Sequence, residues 1–263
     1  MKKHLFFLLG SLLLATQARA QTSGRIQYEV AQRIEPGQMR IVMNGQEVKP
    51  GSPDYPTDLP DSRNSQLTLS FAGSYAKEEV EAPMMRTVMN GPNSAPEVTR
   101  IARPFSEAVY LNLGERSSST VFTVKDQQTA ATTTYRADSP LPAAPAGWQL
   151  GTQTKKIAGY TCRKATATHK KMPYTLWVTT DLPFTYSPVK ELTPDKGVVL
   201  ALESDREQYR ATKVNLQAVP EAEVRPSGEA KKVSPEELKD LREKTLADMR
   251  QRMMEDGPLR GRP

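Results

Sequence analysis

Apolar and polar side chains alternate along most of this chain, and the period is two. Arg25 to Ile34 (RIQYEVAQRI) sets Ile26, Tyr28 and Val30 on one face. Gln66 to Tyr75 (QLTLSFAGSY) turns Leu67, Leu69, Phe71 and Tyr75 inward, with polar residues between them. Successive side chains of an extended backbone point to opposite faces, so this pattern marks half-buried strands. Further strands are expected over Ala108–Leu113, Thr120–Lys125, Thr132–Arg136, Lys156–Thr168, Tyr174–Thr180, Val198–Glu203 and Gln208–Leu216. The fold class that follows is mainly β: a curved antiparallel sheet, half-barrel or sandwich-like, with a C-terminal helix.

Two stretches break the alternation. Lys49 to Pro60 and Ala82 to Pro104 hold four prolines each. Proline cannot donate to a strand ladder, so both read as loops or insertions rather than central strands. Val42-Met43-Asn44-Gly45 recurs as Val88-Met89-Asn90-Gly91, without a wider repeat around it. Asn-Gly favours tight turns, which makes the first copy a candidate hairpin tip.

The two ends differ from the middle. Residues 1–20 have a basic start (Lys2, Lys3, His4), an apolar run from Leu5 to Ala15, and the small pair Ala18 and Ala20. This is the pattern of a secretory signal, with cleavage expected between Ala20 and Gln21. The run is too short for a membrane-spanning helix, which needs roughly twenty apolar residues. The residue directly after the cleavage point is Gln21 and not cysteine, which speaks against a lipid anchor there. At the other end, the β-rich domain (21–217) gives way to a polar stretch over 218–233 that reads as a linker. Ser234-Pro235-Glu236-Glu237 then starts a helix over 234–255, with Ser234 and Glu237 as a capping box and Pro235 at the first helical position. Leu238, Leu241, Leu246, Met249 and Met253 fall in one stripe of that helix, and Arg242 falls among them. Residues 256–263 read as a disordered tail.

Composition narrows the function classes. Signal removal takes three cations and no acid, so 36 basic residues against 30 acidic ones become 33 against 30. With no basic block interleaved with aromatics, a nucleic-acid role has little support. Cys162 is the only cysteine, so the chain forms no internal disulfide, and its simplest reading is a buried thiol in a strand. His169 is the only histidine beyond the signal, which leaves little for a histidine-based triad or zinc site.

The segment Trp148 to Ser204 is the most informative. A strand is expected from Ile157 through Cys162 and Ala165, then a basic turn at His169-Lys170-Lys171, then a return strand over Tyr174–Thr179 ended by Asp181-Leu182-Pro183. Trp148, the run Lys155-Lys156-Ile157-Ala158-Gly159-Tyr160-Thr161-Cys162-Arg163-Lys164-Ala165, and Trp177-Val178-Thr179-Thr180-Asp181-Leu182-Pro183 resemble the GLPGLI family of exported proteins from Bacteroidetes-type bacteria. Gly24 to Glu29 looks like that family's first strand. Where the naming motif would sit, this chain has Leu192-Thr193-Pro194-Asp195-Lys196-Gly197-Val198-Val199-Leu200, which keeps the proline, one glycine and the apolar run. The resemblance implies a curved sheet similar to lipoprotein carriers and an association with outer-membrane nutrient-uptake systems. It implies no catalytic residue.

Three constellations are candidates for chemistry. Asp181, Tyr186, Glu191 and Asp195 lie close in sequence, and paired carboxylates can do acid–base work. Met39 and Met43, then Met84, Met85 and Met89, then Met253 and Met254 form thioether groups that suit Cu(I), although core filling explains methionine equally well. Trp148, Tyr160, Trp177, Phe184 and Tyr186 are candidate walls of an apolar groove on the concave face, or else the core beneath the sheet. The expectation is an exported binding or accessory protein of the cell envelope, periplasmic or extracellular and associated with the outer membrane. It would be non-catalytic, without cofactor or bound metal. Its partner would be an outer-membrane or periplasmic protein, or an apolar ligand. A carboxylate-based hydrolase and a carrier of an apolar ligand or lipid are the alternatives.

Overall fold

The computed structural model describes residues 23–34, 41–43, 46–49, 51–53, 55, 61–81, 84–88, 97–101, 103–126, 129–143 and 147–255. The expected signal, its cleavage point and the tail 256–263 lie outside the described residues. Alternation does produce strands: β1 (Ser23–Arg33), β4 (Ser62–Ala72), β5 (Tyr75–Glu81), β8 (Phe105–Asn112), β9 (Ser117–Lys125), β10 (Thr132–Pro140), β11 (Gln149–Ile157), β12 (Tyr160–His169), β13 (Met172–Thr179), β14 (Val198–Glu203) and β15 (Glu207–Asn215). With the short β16 (Lys231–Lys232) they form one twelve-stranded sheet in the order β11-β12-β13-β14-β15-β1-β4-β5-β8-β9-β10-β16. Every neighbouring pair is antiparallel except β10 and β16. Two meanders thus flank β1.

Chain length forces this sheet to curve. β10 and β11 stand ten strand positions apart, roughly 48 Å across a flat sheet. The chain from Pro140 to Gln149 reaches roughly 30 Å at most. The sheet is therefore open and strongly bent, the half-barrel rather than the sandwich of the two expected forms.

Two further pairs, β2 (Ile41–Met43) with β3 (Gln46–Val48) and β6 (Met84–Val88) with β7 (Glu97–Ile101), form separate two-stranded hairpins. Met43 pairs with Gln46, so the first Asn-Gly does link two strands. The second hairpin falls within the proline-rich Ala82–Pro104 and, as an insertion, stays out of the main sheet. Both insertions leave from the same end of the sheet, since Arg33 pairs with Ser62 and Gln66 with Glu81 where they begin or return.

The sequence misplaces two turns. Gln66–Tyr75 is not one strand, because Gly73-Ser74 turns the chain and Tyr75 opens β5 opposite Ala72. Nor does the strand run on from Ile157 to Ala165: Ile157 pairs with Tyr160 across Ala158 (φ 47°) and Gly159 (φ 90°). The basic turn is where it was expected. His169 pairs with Met172, and Lys170 and Lys171 have φ of 48° and 65°. Left-handed backbone at both central positions defines the turn type that favours Asn-Gly, and for other residues it costs roughly 1–2 kcal/mol each. Replacing Lys170→Asn together with Lys171→Gly should therefore raise stability by about 1 kcal/mol in urea denaturation. A loss of stability would show that the two lysines make contacts the turn needs.

The larger apolar cluster joins Ile26, Tyr28 and Val30 to Leu67, Leu69, Phe71, Leu111, Cys162, Val198 and Leu200. A second holds Ala165, Ala167, Tyr174, Leu176, Val178, Val199 and Leu202. Because β13 and β14 feed both with alternate residues, they are covered on both faces. The polar stretch 218–233 is no free linker. It carries α1 (Glu221–Val224), and Val219 and Val224 are buried against Ala72 and Tyr75. The C-terminal helix α2 (Pro235–Glu255) begins with the expected capping box: Ser234 N–H donates to Glu237 Oε2 (2.8 Å) and Glu237 N–H to Ser234 Oγ (3.1 Å). Leu238 packs on Phe122 and Ala137, and Met249 is buried. Arg242 sits in the apolar stripe because it makes a two-pronged ion pair with Glu107 of β8, at 2.8 and 2.6 Å. Among the described residues, no helix is long and apolar enough to cross a membrane.

Candidate functional site

The long connection between β13 and β14, residues 180–197, decides where the candidate aromatics go. It lays Leu182, Phe184 and Tyr186 onto the larger cluster. Phe184 meets Phe71 with ring centroids 4.6 Å apart, and Tyr186 meets Tyr28 at 6.3 Å. Tyr160 and Trp177 pack against the same cluster, with the Lys155 ammonium 4.0 Å from the Trp177 ring centre. Trp148 packs elsewhere, on the second cluster with Met172 and Val189. So four of the five rings share one body of core, and the chain's own connection lies over that face.

Of Asp181, Tyr186, Glu191 and Asp195, only Tyr186 is buried; the three carboxylates are exposed. Tyr186 instead donates its hydroxyl to Glu78 Oε1 at 2.9 Å, and both groups are buried. Lys190, from the same connection, holds its ammonium 3.9 Å from Glu78 Oε2. Tyr28 lies beside them and donates to the Val199 carbonyl at 3.0 Å. Burial pushes the Glu78 carboxyl above its ordinary range, opposed by Lys190 and by the Tyr186 hydrogen bond. The Tyr28 and Tyr186 hydroxyls are raised well above theirs, by burial first and then by Glu78. Glu78 escaped the sequence reading because β5 was missed. Its signal is a carboxylate in the inward phase, two residues after buried Ala76.

Glu78 also forms part of the wall of an open cleft of about 1330 Å³. Most of the cleft is a polar ladder set by strand register. Glu29 of β1 stands opposite Arg210 on one side and Gln66 on the other, and Gln66 stands opposite Glu81. Thr68 faces Glu79, and Ser70 faces Arg25. Arg25 is fixed by Glu223 of α1 at 2.6 Å and by Ser70 Oγ at 3.2 Å. The folded-back α1 thus helps shape the cleft that the linker reading overlooked.

No family model matches the sequence, and no curated protein matches it. Among solved structures the sheet is similar to part of PNGF-II. Two crystal forms of PNGF-II align with TM-scores of 0.50 at 13% identity, over 85% of this chain. The chain spans about a third of PNGF-II, 34% and 33% of the two chains. At that identity the likeness to PNGF-II shows the fold alone.

Metal and thiol chemistry find few groups. Among the described residues, no three of His, Cys, Asp and Glu are placed to hold a metal ion. The side chains of Met39, Met43, Met84, Met85, Met89, Met253 and Met254 lie outside what the structure describes. Cys162 is fully buried, and burial pushes its thiol up to about 11. A thiol held protonated in a strand is the inert reading of that residue.

Proposed function

We propose that this chain is an exported binding protein of the bacterial cell envelope, as its GLPGLI resemblance implies, and that the polar cleft across β15, β1, β4 and β5 holds its ligand. The cleft carries the reading. At about 1330 Å³ it exceeds the roughly 300–1,000 Å³ of ordinary small-molecule sites, and its ladder of Glu, Gln, Thr, Ser and Arg offers hydrogen bonds rather than an apolar wall. Such a surface suits a segment of a polar polymer, peptide or glycan. An apolar guest is a poorer fit, because Leu182, Phe184 and Tyr186 already lie where it would rest.

The test is native mass spectrometry of the chain recovered from the periplasm, compared with Gln66→Trp. Gln66 is exposed in the cleft, so tryptophan there fills space without disturbing the core. A polar adduct that is lost in the variant is the expected result. A lipid adduct, or one that survives the substitution, would refute the cleft reading. One observation favours the hydrolase alternative: Glu78 is a buried carboxyl of raised pKa beside the cleft. On that reading Glu78→Gln abolishes turnover of a bound ligand while leaving the adduct intact; an unchanged ligand after long incubation with the native chain counts against it.

A further inference from the structure

Between Asp138 and Asp181 the sequence contains no acidic residue, yet it carries Lys155, Lys156, Arg163, Lys164, Lys170 and Lys171. This segment builds β11, β12 and β13, and β11 is the last strand at one edge of the sheet. Five of the six cations are exposed and Lys164 is half-buried. None of the six makes an ion pair among the described residues. Lys155 lies over Trp177, and Arg163 Nε donates to the Gly151 carbonyl at 2.6 Å. Both contacts hold the side chains in place without neutralising them. Six like charges without an ion pair along one edge repel each other.

Geometry says what could neutralise them. Lys155 pairs with Cys162 and Lys164 with Trp177, which puts both lysines on the face of the larger cluster. Lys156 and Arg163 are their alternating neighbours and point to the other face. Lys170 and Lys171 cap the far end of β12, roughly 20–30 Å away. That exceeds the roughly 10 Å over which salt lets charges act together, so a small anion would meet only one end. Cations on both faces and at both ends of an edge match an extended anionic plane met edge-on. Leu150 of β11 is 60% exposed among them, a side chain that an aqueous polyanion does not reward and a bilayer does. The strained turn points the same way. Lysine occupies both left-handed positions where Asn-Gly would fit with less strain, and strain of this kind persists where it serves something other than stability.

We propose that the β11–β13 edge is a docking surface for an anionic lipid bilayer. It stands independently of the cleft: the middle strands of the sheet hold a polar ligand while the basic edge keeps the protein at a membrane face.

The test uses the whole mature chain and sedimentation with vesicles of phosphatidylcholine alone or with roughly 30 mol % phosphatidylglycerol. Binding is expected only to the anionic vesicles, and should weaken more than tenfold when salt rises from roughly 0.05 to 0.5 M. Each basic residue near such a surface contributes about a fivefold factor, so Lys170→Asn with Lys171→Gly should weaken binding about 25-fold. That variant relieves the turn, so a melt showing it at least as stable as the native chain rules out unfolding as the cause. Lys156→Gln should weaken binding about fivefold and Leu150→Ser several-fold. Equal binding to both vesicle types, no binding to the anionic ones at low salt, or indifference to the lysine substitutions would each overturn the proposal. So would retention on an acidic peptide or a sulfated glycan with no retention on vesicles, which would make the edge a site for a soluble polyanion.

Discussion

Tyr186→Phe should destabilise the protein by an amount that depends on the charge of Glu78: about 1 kcal/mol at low pH where Glu78 is neutral, rising to roughly 2–3 kcal/mol once pH passes its raised folded pKa. The hydroxyl donates to Glu78 at 2.9 Å inside the core. When Glu78 is neutral, removing the donor breaks a neutral hydrogen bond. When it is ionised, the same change strips a buried charge of its one direct donor among the described residues and leaves the Lys190 ammonium at 3.9 Å. Glu78→Gln is the companion variant, since the amide oxygen still accepts from Tyr186 but does not titrate.

The sign of the native pH dependence follows from the same geometry. Burial raises the folded pKa of Glu78 above its ordinary 4.5, so the folded state holds that proton more tightly than the unfolded chain does. Its stabilising contribution is complete below about 4.5 and is lost as pH rises through the raised folded value. Glu78→Gln should remove that part of the pH slope and, above the raised folded pKa, leave stability equal to or above that of the native chain. Urea denaturation of the four species, native, both single variants and the double, gives the coupling energy directly. A Tyr186→Phe penalty that stays flat with pH, or survives unchanged on the Glu78→Gln background, would show that the two groups do not act together.

That pair illustrates how far the sequence could be read. The strand face of Ile26, Tyr28 and Val30, the Asn-Gly link between Met43 and Gln46, the β14 segment Val198–Glu203 and the capping box at Ser234 all follow from local rules, and all four are present. Period-two patterning reports which side of a strand is buried, but not what covers it. The connection 180–197 has no such period, so its descent onto the larger cluster depends on distant partners: Phe71 for Phe184, Glu78 for Tyr186. Asp181, Glu191 and Asp195 are near Tyr186 only in sequence, whereas the carboxylate that meets Tyr186 lies 108 residues away. The cleft was hidden for the same reason. Glu29, Gln66 and Glu81 stand side by side through register across three strands, one of them unrecognised. The two misplaced turns each hold a glycine in the left-handed region, Gly73 and Gly159, but apolar residues on both sides continue the alternation through them, and Ala158 gives no turn signal of its own.

The connection depends on one backbone position. Gly197 ends it just before β14, with φ at +97°. Its carbonyl accepts from Tyr186 N–H at 3.1 Å, so it holds the ring that reaches Glu78. A Cβ there would stand 2.5 Å from the Thr179 carbonyl oxygen and 3.1 Å from Val178 Cγ1, and the first of these is backbone that cannot swing away. Gly197→Ala therefore combines left-handed strain with overpacking, each worth roughly 1–3 kcal/mol, and should cost about 3–5 kcal/mol in all. For a domain of this size that lowers the melting temperature by roughly 10 °C. Gly159→Ala is the control, with a similar φ of +90° but nothing within 4 Å of the added carbon. It should cost only the backbone strain, about 1–2 kcal/mol. Because Trp177 packs against the same cluster as the connection's Leu182 and Tyr186, Gly197→Ala should also shift tryptophan emission to the red, while Gly159→Ala should leave it unchanged. Equal losses from the two substitutions would mean that the close approach to Thr179 is not what fixes the connection.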